Sequence, residues 1–370
     1  MLKFKKPNND INLPYDMGLL DGLSDPVVVV NEKYHIVHNN RAYQRIIEAD
    51  PLSNATVALT KNKSITATIK ECLNGNPGQS NEIFMPNPIG LYFSINMWRL
   101  PELRSEGPAW AMMVLRDVTA EKKAEEMRAD FVANVSHELR SPLSALLGFI
   151  ETLQGPAAND PDANKRFLGI MHSEAERMSR LIGDLLTLSK VESDEHISPS
   201  DIVEIAPIVK HVGSALSGEA EKKGMKIEFV EEEGLPLLLG DPDELTQVIQ
   251  NLLANAINYG APDTNIRLEI KNSNEMPGTG GEGIAMAVTN KGEGIPEAEL
   301  SRITERFYRV DKGRSRSMGG TGLGLAIVKH IIGRHRGFLE IESQLNKETT
   351  FTVTLPSVEL EQKADVIKSQ

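Results

Sequence analysis

The chain has 370 residues, of which 40% are hydrophobic and 25% are charged, a composition that is ordinary for globular domains. Its formal net charge of −12 argues against a nucleic-acid-binding protein, because contacts with backbone phosphates need a basic face. The single cysteine, Cys72, excludes an internal disulfide and a cysteine-based metal cage, and it is consistent with a reducing compartment.

The two ends of the chain are interpreted as tails. The start, MLKFKK, is basic but is not followed by an apolar stretch, so residues 1–15 are not expected to be a secretory signal. Residues 358–370 also lack a periodic pattern. No run approaches the roughly 18 consecutive apolar residues of a membrane span. We therefore expect no membrane span in this chain and a cytoplasmic location, at the inner face of the cell membrane if an anchor precedes the chain.

Residues 16–118 are predicted to form a small α+β domain. A short helix is followed by the apolar run 27–30, a turn and a second strand. Two later segments, GLYFSINMWRL and AWAMMVLRDVT, are typical of antiparallel strands because β-branched and aromatic residues are frequent in them.

Residues 119–195 are predicted to form two long helices. In the first, apolar residues recur every three or four positions, and Asp117 or Thr119 is placed to cap its start. A turn over 155–163 precedes the second helix, whose stripe has the same spacing. The stripes comprise Phe131, Val135, Leu139, Leu143, Leu146, Phe149 or Ile150, and Leu153 in the first helix, and Phe167, Met171, Met178, Leu181, Leu185 and Leu188 in the second. Because one hairpin leaves these stripes half covered, two copies are expected to pair into a four-helix bundle, which makes a homodimer.

His137 falls nearly opposite the apolar stripe of the first helix, so its imidazole is expected to face water rather than to fill a core. Five residues later, Pro142 cannot donate a hydrogen bond to the carbonyl of Glu138, and this predicts a bend or a loosening just after the histidine. A helix irregularity without function is the alternative explanation.

Residues 203–357 alternate between strands and helices, as in an α/β domain, and contain a first candidate nucleotide-binding element. Asn251 and Asn255 are four residues apart, so both amides lie on one helix face. Side-chain carbonyl oxygens suit Mg²⁺, which prefers hard oxygen ligands. Two asparagines alone would more often indicate an ordinary polar helix surface.

Two glycine-containing segments strengthen the prediction of a nucleotide site. Gly292 and Gly294 follow a predicted strand that ends with Asn290. Backbone without side chains could approach a flat ligand there, and the Asn290 amide could pair with an adenine edge; an ordinary turn is the alternative. The glycine-rich run 319–324 leads into an amphipathic helix, whose N-terminus could cradle phosphates. It matches neither a Walker loop nor a dinucleotide fingerprint.

Taken together and in this order, the segments resemble the sensor histidine kinases of two-component systems. The resemblance covers roughly residues 118–357, and residues 16–118 resemble a PAS domain. It implies a multidomain α+β fold, with a PAS-like α/β sensor domain, an antiparallel helical hairpin that dimerises into a four-helix bundle, and an α/β sandwich ATP-binding domain of the Bergerat type. The matching boxes are SHELRSPL (H-box), NLLANAINYG (N-box), NKGEGI (G1), ITERFYRVD (F-box) and GGTGLGLAIVK (G2).

The resemblance also implies roles for individual residues. His137 would accept the γ-phosphoryl group of ATP, Glu138 would orient its imidazole, and Ser141 could orient a water for dephosphorylation of a partner. Asn255 would bind Mg²⁺. The other nucleotide-binding residues that the resemblance implies are Asn251, Asn258, Tyr259, Asn290, Gly292, Gly294, Ile295, Arg309, Gly320, Thr321, Gly322, Leu323, Gly324 and Leu325.

Three positions depart from the pattern of the family. Asn290 stands where an aspartate often contacts the adenine amino group, and Thr304 stands where an F-box phenylalanine is common. Asn258 occupies the place of a phosphate-binding lysine. One of three cations could compensate for that missing lysine: Arg309, Lys312 or Arg314.

The partner implied by the resemblance is a response regulator with a receiver domain. The runs GFIETLQGPA and MSRLIGDLLTLSKVE are especially similar to phosphate-regulon sensor kinases, which makes a regulator of phosphate-starvation genes the expected type. Two alternatives stay open at this point. One is an ATPase of the chaperone or mismatch-repair sort without phosphohistidine, and the other is a non-catalytic dimeric scaffold.

Overall fold

A computed structural model describes residues 17–49, 63–76, 81–85, 90–101, 109–277, 280–311 and 320–358. The predicted tail 1–15 and nearly all of the tail 358–370 therefore lie outside the described residues. The chain divides into two compact units, Met1–Ala133 and Asn134–Gln370.

The first unit is built around a five-stranded antiparallel sheet with the strand order β2-β1-β5-β4-β3. The strands predicted from the sequence are present, and two helices accompany them. Its elements are a 3₁₀ helix Met17–Gly22, β1 Val27–Asn31, β2 Ile36–Asn39, α1 Arg41–Ala49, α2 Lys63–Leu73, β3 Asn81–Met85, β4 Leu91–Leu100 and β5 Trp110–Asp117.

The core of this unit lies between the sheet and helix α2. Ile65, Ile69 and Cys72 recur at steps of four and three, so they share one helix face, and all three are buried against the strands. The buried Asn40 joins β1 to α1, because its Oδ1 accepts hydrogen bonds from the backbone N–H groups of Val27 (2.9 Å) and Tyr43 (3.0 Å).

The two predicted long helices are α3 Thr119–Gln154 and α4 Pro161–Ser193. Helix α3 runs without interruption through Pro142, as the continuous stripe predicts. The turn is shorter than predicted, because Asp160 caps α4 by accepting hydrogen bonds from two backbone N–H groups and Pro161 occupies the first helical position.

The hairpin buries only part of its apolar surface. Leu181, Leu188 and Val191 are buried, and the rings of Phe149 and Phe167 stack with centroids 5.3 Å apart. Other large side chains stay exposed in the single chain, and Leu143 of the predicted stripe is among them. The exposed set is Leu143, Leu147, Ile150, Leu168, Ile170, Ile182 and Leu186.

The remainder of the second unit is a mixed sheet with the order β11-β12-β10-β9-β7, in which only the β7–β9 pair is parallel. A two-stranded sheet, β6-β8, accompanies it. The elements are β6 Ile202–Val203, α5 Ile205–Glu221, β7 Lys226–Glu231, β8 Leu238–Leu239, α6 Pro242–Tyr259, β9 Asn265–Ser273, β10 Gly283–Lys291, α7 Glu297–Leu300, α8 Gly324–Arg334, β11 Phe338–Ser343 and β12 Glu348–Pro356.

Helix α6 explains how this sheet positions the asparagines. Its apolar residues recur at steps of three and four and are buried, whereas Asn251 and Asn255 lie on another side and stay half-buried. Asp241 caps the helix and Pro242 is its first residue. The buried residues of α6 are Glu244, Leu245, Val248, Ile249, Leu252, Leu253, Ala256 and Ile257.

Four strands predicted in this region correspond to β7, β9, β10 and β12, while β11 and the two-residue strands were not predicted. Within the described ranges, no helix has both the length and the apolar content needed to cross a membrane.

Candidate functional site

The predicted phosphoacceptor lies in the middle of α3. His137 is exposed, in agreement with its position opposite the apolar stripe. Ser141 is exposed one helical turn later, so its hydroxyl lies on the same side of the helix. Pro142 is buried, and it has no N–H to donate to the carbonyl of Glu138.

The carboxylate next to this histidine contacts two arginines. Glu138 Oε2 lies 2.6 Å from Nη2 of Arg177 in α4 and 3.8 Å from Nη2 of Arg309 in the loop before α8. The side chains of Glu138, Arg177 and Arg309 are only 15%, 8% and 6% exposed. This largely buried cluster joins the hairpin to the loop that leads into the glycine-rich run.

Arg177 is a site residue that the sequence reasoning missed. It is one of four buried residues of α4, together with Leu181, Leu188 and Val191, so a charged side chain occupies the packed face of the helix. Its spacing of four residues from Leu181 is the signal that could have identified it. A buried charge on an apolar face requires a partner, and Glu138 is that partner.

The two asparagines of α6 lie beside the glycine-rich run. Asn251 Nδ2 donates a 3.3 Å hydrogen bond to the carbonyl of Gly324, the first residue of α8. A Cβ atom at Gly324 would stand 3.3 Å from Asn251 Oδ1, so a side chain there would crowd the amide. Asn255 lies one turn further along the same face, and its amide supplies the type of oxygen that Mg²⁺ prefers.

Asn258 has a cationic partner that was not predicted. Nζ of Lys223, from the turn after α5, lies 3.3 Å from Asn258 Oδ1 and 2.9 Å from the carbonyl of Ile257. A lysine from elsewhere in the chain thus brings positive charge to the end of α6. Of the cations considered from the sequence, Arg309 lies at Glu138, whereas Lys312 and Arg314 lie outside the described residues.

The segment after β10 passes close to the end of α6. Asn290 is only 5% exposed, and its Nδ2 lies 3.4 Å from the carbonyl of Lys291. Gly292 forms a β-bridge with Gly260, and a Cβ atom on Gly292 would stand 2.6 Å from the carbonyl of Tyr259. Only glycine allows this approach of the two backbones.

Gly294 allows the same segment to turn. Its φ is +74°, and a Cβ atom there would meet the carbonyl of Gln344 at 2.5 Å. The backbone N–H of the next residue, Ile295, then donates a 2.8 Å hydrogen bond to Ser343 Oγ. The positions predicted for adenine binding, Asn290, Gly292, Gly294 and Tyr259, are thus held near one another by close backbone contacts.

The described part of the glycine-rich run is held by contacts with the F-box segment. The carbonyl of Gly322, which has a φ of +75°, accepts a 2.8 Å hydrogen bond from the backbone N–H of Phe307. The guanidinium of Arg309 donates to the carbonyl of Gly320. Leu323 is buried and Leu325 is half-buried, so both anchor the start of α8, while Gly319 lies outside the described residues.

Thr321 connects this run to the hairpin. Its Oγ1 donates a 2.6 Å hydrogen bond to Asp184 Oδ2 of α4 and accepts a 3.2 Å hydrogen bond from the backbone N–H of Leu323. Burial raises the pKa of the Asp184 carboxyl, against the lowering effects of the hydrogen bond from Thr321 and the charge of Arg180. Asp184 is a second contact residue that the sequence reasoning missed.

His335, near the end of α8, has structural surroundings. His335 is buried, accepts a 3.0 Å hydrogen bond at Nε2 from the backbone N–H of Asp241, and has Nδ1 2.8 Å from the carbonyl of Ile331. Burial lowers its pKa. In the part of the chain that the structure describes, no group of three or more His, Cys, Asp or Glu side chains could hold a metal ion.

Two family models match the chain. The model described as "Histidine kinase-, DNA gyrase B-, and HSP90-like ATPase" matches residues 240–359, and "His Kinase A (phospho-acceptor) domain" matches residues 127–194. The sensor-like histidine kinase SenX3 of Mycolicibacterium smegmatis is 32% identical over 343 residues, which are 93% of this chain and 83% of that protein. The chain belongs to the sensor histidine kinase family.

Other relatives share only part of their length with this histidine kinase. The sensor protein kinase WalK of Staphylococcus saprophyticus is 37% identical over 253 residues, and the match spans 67% of this kinase but only 40% of WalK. Among solved structures, the histidine kinase ThkA in complex with the response regulator protein TrrA aligns over 93% of this kinase and 99% of that chain. The identity in that alignment is 19% and the TM-score is 0.49.

Proposed function

We propose that the chain is an ATP-dependent kinase that phosphorylates its own His137. The observation that carries the proposal is the contact between Arg309 and Glu138. It brings the loop before the glycine-rich run to within 3.8 Å of the residue next to the exposed histidine. Phosphoryl transfer depends mainly on positioning and on charge stabilisation, and this arrangement joins a phosphate-binding loop to an accessible nucleophile.

The residues of the α6–α8 region fit a nucleotide with Mg²⁺. A flat base would bind beside Asn290 and Tyr259, which the close backbone approach at Gly292 holds near each other. The Asn255 amide oxygen would bind Mg²⁺, whose usual remaining ligands are water and phosphate oxygens. When bound, the ion would neutralise negative charge on the phosphates. Backbone N–H groups at the start of α8 would face the phosphates.

The hairpin residues would prepare the nucleophile. Attack on phosphorus needs a ring nitrogen that carries no proton, which a neutral imidazole provides. Glu138 would accept the Nδ1–H proton of His137 in a hydrogen bond and leave Nε2 to attack. The new P–N bond would form as the bond to the leaving ADP oxygen breaks. Ser141 would orient a water molecule when the kinase removes phosphate from its partner.

Incubation of the full chain with γ-labelled ATP and Mg²⁺ tests this function. We expect an acid-labile, base-stable label that is absent in His137→Gln and retained in His172→Gln, a matched control on the exposed surface of α4. Hydrolysis of ATP without labelled protein would instead support the ATPase alternative. Neither label nor hydrolysis would support the non-catalytic scaffold.

We also propose that the kinase works as a homodimer and passes its phosphoryl group to an aspartate of a response regulator. The exposed apolar side chains of the hairpin support the dimer, since pairing two hairpins would cover them. Sedimentation of the full chain should give twice the monomer mass. Phosphorylated kinase incubated with receiver-domain proteins should transfer its label to one of them at the highest rate.

We also propose a signalling pathway and a sensor domain for the chain. The runs GFIETLQGPA and MSRLIGDLLTLSKVE support a role in phosphate-starvation signalling in the cytoplasm. The antiparallel sheet formed by β1 to β5 supports a PAS-like sensor domain over residues 16–118. Loss of the phosphate-starvation transcriptional response in a deletion strain, restored by the intact chain and not by His137→Gln, is the expected result.

A further inference from the structure

Two acidic residues of the hairpin bind groups of the nucleotide-side loops. Glu138 of α3 contacts Arg309, and Asp184 of α4 accepts the hydroxyl proton of Thr321. Thr321 lies in the glycine-rich run, and Arg309 donates to the carbonyl of Gly320 in the same run. The hairpin therefore holds this run at two places through carboxylate oxygens.

Both contacts, Glu138 with Arg309 and Asp184 with Thr321, are largely buried. The Arg309 side chain is almost entirely enclosed, and the carboxylate of Glu138 is largely enclosed with it. Thr321 is buried, and its hydroxyl is fixed because it donates to Asp184 while accepting from the N–H of Leu323. The raised pKa of Asp184 indicates that desolvation disfavours its charged form, so this contact is maintained against an electrostatic cost.

Carboxylate and phosphate oxygens are chemically similar acceptors. Both bind a guanidinium through charge-assisted hydrogen bonds, and both accept from a hydroxyl group. A hydroxyl has one proton to donate, so Thr321 cannot donate to Asp184 and to a phosphate at the same time. The two kinds of anion therefore compete for Thr321, and they compete for the charge of Arg309.

We propose that Glu138 and Asp184 occupy the donors that the phosphates of ATP require, so that ATP binding displaces both carboxylates and thereby releases Glu138 to orient His137. This inference rests on the proposed function and assigns the hairpin acids a regulatory part in it. Asp184 acts as a positioning residue that keeps the glycine-rich run on the hairpin. Before ATP binds, the contact with Arg309 holds the carboxylate of Glu138 at the loop before α8.

Arg177 makes the exchange feasible. It lies closer to Glu138 than Arg309 does, at 2.6 Å, and both residues belong to the hairpin. When Arg309 moves to a phosphate, Glu138 therefore keeps a cationic partner and is not left as a lone buried charge. Arg177 thus keeps the charge of Glu138 compensated on the hairpin once Arg309 has left it.

The affinity for a non-hydrolysable ATP analogue tests the competition. It is measured by calorimetry on the full chain carrying His137→Gln, so that phosphorylation cannot affect the result. We expect Asp184→Ala to bind the analogue about tenfold more tightly, within the usual range of coupling between sites. Asp184→Asn, which keeps an acceptor but loses the charge, should give a smaller increase. The matched control Glu176→Ala, on the exposed face of α4, should bind like the parent.

Nitrogen NMR of the imidazole of His137, in a chain with the native histidine and labelled histidines, tests the release of Glu138. Addition of the analogue should change the Nδ1 resonance in the manner of a new hydrogen bond, and this change should be much smaller in Glu138→Gln. Equal affinity of the parent and Asp184→Ala, or the same Nδ1 change with and without Glu138, would overturn the proposal. Failure of the proposed kinase function is detected separately, as absence of label on the native chain.

Discussion

The hairpin and the mixed-sheet domain of the second unit bury their apolar residues to very different extents. The core of the sheet domain includes Val248, Leu252 and Val288, which have no exposed surface, whereas Leu186 of the hairpin is 67% exposed. The sheet domain therefore contains its own complete core. The hairpin does not, because two helices cannot cover each other's stripes without further elements.

Both regions bury a charged pair, which in the sheet domain is Glu244 with Arg334, but only the sheet domain surrounds its pair with a large apolar core. The sheet domain encloses His335 as a neutral side chain, with both ring nitrogens facing backbone groups. The hairpin encloses Arg177, a permanent charge, and offsets it with Glu138. A neutral hydrogen-bonded group fixes a structure at low cost, whereas a buried ion pair is sensitive to removal of either partner. The hairpin has few other buried residues, so its packing should depend more strongly on this one pair.

Substitution of the buried arginine should have the largest effect. Arg177→Ala removes the nearer of the two described arginines from Glu138 and should lower the free energy of unfolding by roughly 3–5 kcal/mol. Urea unfolding followed by far-ultraviolet circular dichroism measures this loss. Lys165→Ala, at an exposed position of α4, serves as the control and should change little. A loss below that of an ordinary surface substitution would contradict the distinction between the two regions.

Removal of a core side chain in the sheet domain should have a similar or somewhat smaller effect. Leu252→Ala leaves a cavity in a fully buried helix face and should cost about 2–5 kcal/mol. Because that core is complete within one chain, the loss should not depend on protein concentration. A concentration-dependent loss, measured by thermal denaturation over a wide range of dilution, would show that the sheet domain is not self-sufficient.

Acidification should weaken the sheet domain through His335. Burial lowers the pKa of this histidine in the folded chain below its ordinary value, so the unfolded chain binds a proton that the folded chain does not. Stability should therefore fall as the pH drops below about 6.5 and become constant again below the pKa of the folded state. The loss should be smaller than for Leu252→Ala, since it involves one proton.

The variant His335→Gln isolates this contribution, because glutamine can still accept the N–H of Asp241. Burial also lowers the pKa of His330, so some pH dependence in the same direction should persist. Melting temperatures of the parent and His335→Gln, compared from neutral to acidic pH, should converge as the pH falls. Parallel curves for the two proteins would show that His335 does not contribute.

The smallest effect on the stability of the isolated chain is expected at the exposed hairpin surface. Leu186→Ser should change the free energy of unfolding by less than about 0.5 kcal/mol in the monomer. It should nevertheless weaken the proposed dimer, measured by sedimentation at several concentrations. Leu345→Ser, at an exposed leucine of the sheet domain, should leave the dimer unchanged. Equal dimer strength in both variants would place the interface elsewhere.

The features that could be predicted from the sequence are those with a local period. The stripe of α3, the exposure of His137 and the shared face of Asn251 and Asn255 all follow from a repeat of 3.6 residues. The glycines at 292 and 294 could be recognised because a strand precedes them. The start of α4 was placed too late, since the capping carboxylate of Asp160 and Pro161 determine it.

The contacts that organise the candidate site could not be predicted in this way. Glu138 and Arg177 are 39 residues apart, and Asp184 and Thr321 are 137 residues apart. Such pairs depend on how the hairpin packs against the sheet domain, which no short-range pattern specifies. Strand β11 was missed because half of its residues are charged or polar, as expected at the edge of a sheet.

The attachment of Thr321 to Asp184 has a thermodynamic consequence for signalling. Linkage is reciprocal, so if a nucleotide weakens the contact with the hairpin by a given factor, a stimulus that breaks the contact raises nucleotide affinity by up to that factor. A stimulus transmitted along α3 would then act without reaching the nucleotide pocket. At a fixed cellular ATP concentration, the stimulus would change the fraction of kinase molecules that hold ATP, and it would not need to accelerate the phosphoryl transfer itself.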